Sequence, residues 1–244
     1  MCEGCRKRSL DPSVSRRALG LLAISSAGLL LANKVVAKEK TPPKPQNVLP
    51  PDASLSRLLE GNARYVKGVA LRHDFQHERE ALSGGQNPYA AVLSCADSRI
   101  APEYAFDSGR GDLFVCRVAG NFVSDETIAS LEYAVAVLAT PLILVLGHDK
   151  CGAVDATIKS LKDDKPLPGH MPSLVSAIAP AVKAVLSKGD DVLENAIRQN
   201  VIDNVGKLKS ATPLLSAAVE QNKLKVVGGI YRLKSGRVEI LDRS

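Results

Sequence analysis

Residues 141–152 read PLILVLGHDKCG and contain the clearest core strand of the chain. Leu142–Leu146 is an unbroken apolar run, which favours a strand buried on both faces of a sheet. Two shorter apolar runs, Tyr89–Ser94 and Leu113–Ala119, predict neighbouring strands of the same kind. These three runs place a buried sheet at the centre of the predicted fold.

Helical periodicity separates the predicted strands, and a hairpin ends the chain. Lys225–Leu233 and Arg237–Leu241 flank Lys234-Ser235-Gly236, a combination that predicts two strands joined by a turn. The predicted helices cover Ser54–Lys67, Asp125–Thr140, 151–161, 173–187 with an interruption or bend at Pro180, 190–208 and 213–222. The fold class is therefore α/β, with a mostly parallel central sheet flanked by helices and a C-terminal hairpin at its edge.

Composition indicates an ordinary globular protein with an unevenly distributed charge. Of the 244 residues, 45% are hydrophobic and 24% are charged, which excludes a wholly disordered chain and a polytopic membrane protein. Residues 1–37 hold six basic and two acidic residues, so they carry +4 of the formal net charge of +6. Because the rest of the chain is nearly neutral, nucleic acid is not expected as a partner.

The N-terminal segment, residues 1–37, is interpreted as an export signal. Arg16-Arg17 precedes an uncharged apolar run, residues 18–33, that is shorter than a membrane-spanning helix. The arginine pair is similar to a twin-arginine signal, which exports folded proteins to the periplasm or a thylakoid-lumen-like compartment. An uncleaved membrane anchor and a buried N-terminal helix are the alternatives. After cleavage no membrane association is expected.

A linker is expected to separate this signal from the folded domain. Residues 38–51 are rich in proline and lysine, which is typical of an extended segment, so the domain is predicted to cover residues 52–244. Cys2 and Cys5 lie in the signal, whereas the domain keeps Cys95, Cys116 and Cys151. Three cysteines cannot all pair within one chain.

Reactive side chains follow two of the predicted strands. Cys95-Ala96-Asp97-Ser98-Arg99 comes directly after one apolar run, and His148 and Cys151 follow another. Because the carboxyl ends of parallel strands meet at one edge of a sheet, these side chains are expected to lie close together. Two thiolates and an imidazole suit Zn²⁺, and three protein ligands are typical of a catalytic zinc with one open position. The alternative is two buried, inert cysteines and a surface histidine.

Cys95-x-Asp97-Ser98-Arg99, taken together with Gly147-His148-x-x-Cys151-Gly152, resembles the paired motif of β-class carbonic anhydrases. Residues 117–121 (RVAGN) are similar to the R-N-A-G-N segment between the two motifs, although Val118 replaces an asparagine of many members. The resemblance extends over residues 54–241. It implies the β-carbonic anhydrase fold, one Zn²⁺ per chain and reversible hydration of CO₂ to bicarbonate and a proton by a zinc-bound hydroxide. It also implies a homodimer or a higher even-numbered homo-oligomer, with the active site at the dimer interface.

The same resemblance assigns roles to individual residues. Cys95, His148 and Cys151 match the zinc ligands, and Asp97 and Arg99 match the family's Asp–Arg pair. Asp97 is expected to accept a hydrogen bond from the zinc-bound hydroxide, while Arg99 holds the carboxylate away from the metal. The substrate-pocket positions are Gln86, Phe114, Tyr133 and Gly152. For Phe114 and Tyr133, ordinary core packing is the alternative.

Several other reactive residues have simpler interpretations. Cys116 alternates within its strand and is expected to be a buried apolar residue. His170 is expected in a loop, with a role in proton transfer as the less favoured reading. Exposed helix faces, helix starts or surface pairs are expected for His73, His77, Glu103 and Asp107.

Two further functions stay open at the level of the sequence. A non-catalytic exported domain could join Cys95 and Cys151 in a disulfide and bind no metal. A zinc enzyme on the same scaffold could instead hydrate carbonyl sulfide or carbon disulfide.

Overall fold

The computed structural model describes residues 49–189 and 191–241, without the side chain of Phe75. The described residues all belong to one compact unit. The predicted export signal at 1–37 and most of the predicted linker at 38–51 lie outside the described residues.

Five strands form one sheet in the described chain. They are β1 (Ala90–Ser94), β2 (Leu113–Arg117), β3 (Leu142–His148), β4 (Lys225–Tyr231) and β5 (Val238–Ile240). The strand order is β2-β1-β3-β4-β5. The first four strands run parallel and β5 runs antiparallel to β4. The predicted α/β class, with a mostly parallel sheet and a C-terminal hairpin at its edge, is confirmed.

Eight helices accompany the sheet in the described residues. They are α1 (Pro51–Val66), α2 (Phe75–Leu82), α3 (Pro102–Ala105), α4 (Asp125–Ala136), α5 (Gly152–Asp163), α6 (Pro172–Val185), α7 (Val192–Lys209) and α8 (Leu214–Glu220). No helix within 49–189 and 191–241 is both long and apolar enough to cross a bilayer.

The sheet lies between two helical layers. Every residue of β3 is buried, as its continuous apolar sequence predicts. Ile143 and Val145 face a core to which α4, α5, α6, α7 and α8 contribute, whereas Leu142 and Leu144 face a core built with α1 and α3. Successive side chains of a strand point to opposite faces, so one apolar run supplies both cores.

Helix ends differ from the predictions where proline or a left-handed residue intervenes. α1 begins at Pro51 rather than Ser54, because proline fits the first position of a helix. α4 ends at Ala136 rather than Thr140, since Ala139 takes a φ of 54° and turns the chain toward β3. α6 runs through Pro180 without the predicted interruption. The short helices α2 and α3 were absent from the predicted element order.

Asp107 corrects the prediction of a surface pair. Its carboxylate is buried, accepts a hydrogen bond from Arg64 Nε at 2.6 Å and another from the Leu71 N–H at 3.0 Å. It is therefore a structural link between α1 and the segment before α2. Glu103 lies in the first turn of α3, which confirms a helix start.

Candidate metal centre

The register of the sheet places the predicted ligands at one edge. β1 pairs with β3 so that Ser94 lies opposite Leu146, which puts Cys95 and His148 just past the same point of the sheet. The ligand atoms of Cys95, His148 and Cys151 all lie within 4.8 Å of one another, and all three residues are buried. The structure therefore brings together the three residues that the sequence predicted as a cluster.

The spacing of the two thiols fits a shared metal rather than a covalent bond. Cys95 Sγ lies 4.0 Å from Cys151 Sγ, and both cysteines are free. A disulfide requires about 2.05 Å between the sulfurs. Two thiolates bound to a tetrahedral zinc at about 2.3 Å each lie about 3.8 Å apart. The geometry matches the second arrangement.

His148 presents one ring nitrogen toward the cluster and uses the other for support. Nδ1 lies 2.8 Å from the Asp149 carbonyl, which can only accept, so Nδ1 carries the proton. Nε2 is buried and has no hydrogen-bond partner within residues 49–189 and 191–241. The ring is thus fixed in the tautomer whose free lone pair can bind a metal. The alternative of a surface histidine is wrong, because the side chain is fully buried.

The thiol pair also favours a cation electrostatically. Cys151 directly precedes the first turn of α5, and the backbone N–H groups of Ala153 and Val154 there act to lower the pKa of its thiol. Hydrogen bonding from the Cys151 thiol lowers the pKa of Cys95, whereas this same interaction and burial raise the pKa of Cys151. The pair alone thus favours one thiolate and one thiol. A divalent cation removes the repulsion that keeps the second proton in place.

Asp97 lies beside the cluster in a tight ion pair with Arg99. Arg99 Nε donates to Oδ1 at 2.9 Å and Nη2 donates to Oδ2 at 2.6 Å. The same Nη2 reaches the Lys150 carbonyl at 3.3 Å, which ties the pair to the loop that carries Cys151. These bonds hold the pKa of Asp97 well below its usual range. Asp97 Oδ2 lies 3.8 Å from His148 Nε2.

Arg117 supports both halves of the Cys95–Asp97 segment. Its guanidinium donates to the Cys95 carbonyl at 3.0 Å and to the Asp97 carbonyl at 2.8 Å. Gly120, three residues later, donates its N–H to Cys95 Sγ at 3.3 Å. The sequence analysis singled out the RVAGN segment, residues 117–121, but it did not predict which atoms of Cys95 and Asp97 this segment contacts.

The predicted pocket residues are only partly assembled. The rings of Phe114 and Tyr133 lie 6.4 Å apart between centroids, with Phe114 half-buried against the core that contains Cys95 and Tyr133 48% exposed. A side chain at Gly152 would meet no atom of the other described residues within 4 Å, so they leave space beside Cys151. Gln86 is exposed in the segment before β1.

The other histidines and Cys116 lie close to their predicted positions on a helix face, in a loop and in the core, and two of them differ in detail. His77 is exposed on α2 and His170 is exposed in the turn before α6. His73 precedes α2 and its Nδ1 lies 3.3 Å from Glu78 Oε1. Cys116 is half-buried rather than buried, and it packs against the core.

Sequence analysis missed two buried asparagines, Asn200 and Asn204 on α7. They bond to the loop that carries Gly120. The available signal was a pair of amides one helical turn apart among apolar residues, a pattern typical of buried polar contacts.

An α/β sheet with a buried Cys₂His cluster at its strand ends and an ion-paired aspartate beside it defines a zinc-dependent enzyme class. The family profile described as carbonic anhydrase matches residues 90–238. The carbonic anhydrase of Mycolicibacterium smegmatis is 38% identical over 191 residues, which are 78% of this chain and 93% of that protein.

Solved structures agree with this match. The β-carbonic anhydrase of Coccomyxa is 29% identical with a TM-score of 0.60, covering 77% of this chain and 86% of that one. A tetrameric β-carbonic anhydrase of Sordaria macrospora, 24% identical with a TM-score of 0.61, shares the fold over 78% of this chain and 97% of its own. The chain belongs to the carbonic anhydrase family, in its β class. It is a zinc lyase that catalyses reversible hydration of CO₂ to bicarbonate and a proton.

Proposed function

We propose that Cys95, His148 and Cys151 bind the catalytic zinc and that Asp97 and Arg99 act beside it. The observation that carries this assignment is His148 Nε2. This buried nitrogen has no hydrogen-bond partner in the described part of the chain, and it belongs to a cluster whose ligand atoms lie within 4.8 Å of one another. An unsatisfied buried nitrogen costs free energy, which a bound metal offsets. The zinc ion supplies a Lewis acid that makes a water molecule nucleophilic near neutral pH.

Asp97 orients the attacking oxygen. Its carboxylate stays ionised because Arg99 donates to both of its oxygens, and its Oδ2 lies 3.8 Å from the metal-facing nitrogen of His148. An ionised carboxylate only accepts hydrogen bonds, so it takes the O–H of the nucleophile and leaves a lone pair free to attack CO₂.

Arg99 keeps Asp97 from becoming a ligand itself. A carboxylate is a competent zinc ligand, and Asp97 is close enough to compete for the open position after a change of rotamer. The bidentate contact with Arg99, anchored to the Lys150 carbonyl, opposes that rotation.

A second copy of the chain completes the substrate pocket. Phe114 and Tyr133 offer CO₂ an apolar surface, yet Tyr133 is 48% exposed in the single chain, and Gln86 is exposed as well. Contact with a partner subunit in a homodimer would cover these residues and exclude water from the pocket. Sedimentation analysis of the purified chain tests this proposal. A dimer or tetramer supports it, and an active monomer contradicts it.

Stopped-flow hydration assays test the assignment of the reaction. CO₂ hydration by the zinc-loaded chain is expected, with a strong loss in Asp97→Asn, since the amide accepts a weaker hydrogen bond. Carbonyl sulfide and carbon disulfide belong in the same panel, because an oxygen nucleophile held beside Asp97 would be able to attack the carbon of any of the three molecules. Faster turnover of either sulfur compound than of CO₂ would assign the sulfur compound as the substrate.

Export by the twin-arginine route fits the chemistry of the thiolates. The two sulfurs are free and 4.0 Å apart, so an exported chain without zinc risks forming a disulfide in an oxidising compartment. A route for folded proteins lets zinc bind first in the reducing cytoplasm. Arg16 and Arg17 thereby protect the metal centre.

Two signal variants test this proposal. Arg16→Lys/Arg17→Lys is expected to leave an active, zinc-loaded precursor in the cytoplasm. A signal for unfolded export in place of residues 1–37 is expected to give exported protein with less zinc and a Cys95–Cys151 disulfide. Fully loaded enzyme from the unfolded route would contradict the link between signal and metal.

A further inference from the structure

Two asparagines are buried on α7, on the side that faces the loop after β2. Asn200 is 2% exposed and Asn204 is 1% exposed, and they lie one helical turn apart among buried apolar residues such as Val201. A buried amide destabilises a protein unless its donors and acceptors are paired. Their bonds therefore show what these side chains hold in place.

The asparagines form one directed chain of hydrogen bonds. Asn200 Nδ2 donates to the Gly120 carbonyl at 2.8 Å, and Asn204 Oδ1 accepts from the Val123 N–H at 2.8 Å. Between them, Asn204 Nδ2 donates to Asn200 Oδ1 at 3.1 Å. A carbonyl only accepts and an N–H only donates, so both amide orientations are determined. The two side chains thus anchor the loop 120–123 by hydrogen bonds at its first and last residues.

The loop 120–123 turns through two successive residues with positive φ. Gly120 has a φ of 84°, which glycine adopts readily, and Asn121 has a φ of 41°. A positive φ is uncommon for residues other than glycine, although asparagine tolerates it better than most, and it persists where the surroundings fix it. On its other side the loop meets α6, since a side chain at Gly120 would lie 2.5 Å from Ile178 Cδ1.

This loop carries the amide that reaches the metal centre. The Gly120 N–H donates to Cys95 Sγ at 3.3 Å, so its direction depends on the peptides that Asn200 and Asn204 hold. Hydrogen bonds to a ligand sulfur withdraw electron density from it and tune the metal, and such outer contacts also fix the ligand's position. The effect matters most in a site where two thiolates already neutralise the charge of Zn²⁺.

The geometry points to Asn200 and Asn204 as positioning residues of the carbonic anhydrase centre. They hold the loop 120–123 so that the Gly120 N–H donates to Cys95, and they thereby set how strongly that sulfur donates to zinc and how tightly zinc is held. This inference rests on the proposed function, because it requires Cys95 to be a zinc ligand.

Cobalt substitution of the full chain tests the inference without an activity assay. Co²⁺ bound to thiolates absorbs through a sulfur-to-metal charge-transfer band, whose energy falls when the sulfur loses a hydrogen bond. Asn200→Ala is expected to move this band to longer wavelength. The same variant is expected to lose zinc to a chelator about 10–100-fold faster, the usual cost of removing an outer partner of a ligand.

Asn195→Ala is the matched control. Asn195 lies on the same helix, but its Nδ2 donates to the Lys188 carbonyl, away from the loop. This variant is expected to keep the band and the zinc-release rate of the wild type. If Asn200→Ala does not fold, Asn200→Ser replaces it, because a serine hydroxyl is too short to reach the Gly120 carbonyl.

The outcomes separate the inference from the function on which it rests. A folded Asn200 variant with the wild-type band and the wild-type zinc release overturns the inference alone. A Cys95→Ser protein that keeps the wild-type band removes Cys95 from the ligand set, and this result overturns both. A red shift in Asn200→Ala that is absent from Asn195→Ala and lost with Cys95 supports both.

Discussion

Two sites in the molecule bury polar side chains, and they differ in whether the polar atoms have hydrogen-bond partners. At the first, which we call the Asn62 junction, Asn62 donates to the carbonyls of Ala105 and Gly236 at 2.9 and 2.8 Å and accepts from the Val238 N–H at 2.9 Å. At the second, the proposed metal centre of Cys95, His148 and Cys151, a buried ring nitrogen has no hydrogen-bond partner among the described residues and two thiols lie close together.

This difference distinguishes a structural site from a functional one. The Asn62 junction joins α1 to the C-terminal hairpin and needs nothing further, since its polar atoms are paired. The metal centre is complete only when a cation neutralises the thiolates and takes the free lone pair of His148. Substitution at the junction should therefore change stability, whereas substitution at the metal centre should change zinc content and activity.

Removal of a metal ligand should have the largest effect. Cys151→Ser replaces a thiolate with a neutral hydroxyl, a poor zinc ligand, and most of the zinc should be lost. CO₂ hydration should fall by more than about 100-fold, beyond the usual cost of losing an outer partner. Metal analysis and stopped-flow assays check this outcome. Stoichiometric zinc in the variant would remove Cys151 from the ligand set.

Breaking the Asp97–Arg99 pair should have the next largest effect. Arg99→Ala leaves all three ligands in place but frees Asp97 to compete for the open metal position. We expect zinc to be retained and CO₂ hydration to fall by about 10–100-fold. Zinc content and hydration rate measured on one sample separate the two effects. A wild-type rate would make the ion pair purely structural.

At the Asn62 junction, the expected change is in stability. Asn62→Ala leaves two buried carbonyls and one N–H without their partner, which should lower the free energy of unfolding by about 3 kcal/mol. Zinc per folded chain should not change. Urea unfolding with metal analysis checks both, with Asn195→Ala as a control. Loss of zinc from folded Asn62→Ala would erase the distinction between the two sites.

The pH dependence of Asp97→Asn should show the smallest change. Arg99 holds the pKa of Asp97 well below its usual range, so the carboxylate stays ionised between pH 6 and 9. Because the pKa of Asp97 is lower in the folded chain than the value of about 3.9 in the unfolded chain, the ionised carboxylate stabilises the fold at any pH above about 3.9. This stabilisation is lost only as the pH falls from that value through the lower pKa of the folded chain. The rate ratio of wild type to variant should thus be constant from pH 6 to 9. A ratio that changes with pH would show that Asp97 titrates there.

The sequence predicted those parts of the fold and site that are local. An apolar run as long as Leu142–Leu146 has few ways to be satisfied except as a buried strand, and a reactive residue directly after it must lie at the sheet edge. Asp107 could not be placed in the same way, because its partner Arg64 is 43 positions away. The same applies to Asn200, which bonds to a carbonyl 80 positions away.

The predicted pocket could not be tested on a single chain, for a different reason. Gln86 and Tyr133 are exposed in the single chain, so their proposed role depends on atoms of another subunit. No pattern within one sequence determines which surface of a second copy covers them. Their assignment as pocket residues therefore rests on the proposed contact with a second copy of the chain.

A zinc titration followed by CO₂ hydration tests the central claim most directly. Zinc is removed from the purified chain and returned in steps, and the stopped-flow rate is measured at each step. The rate should rise linearly and reach a plateau at about one zinc per chain, as expected for a single three-ligand catalytic site. A rate that does not depend on zinc, or a fully loaded chain that does not hydrate CO₂, would contradict the account.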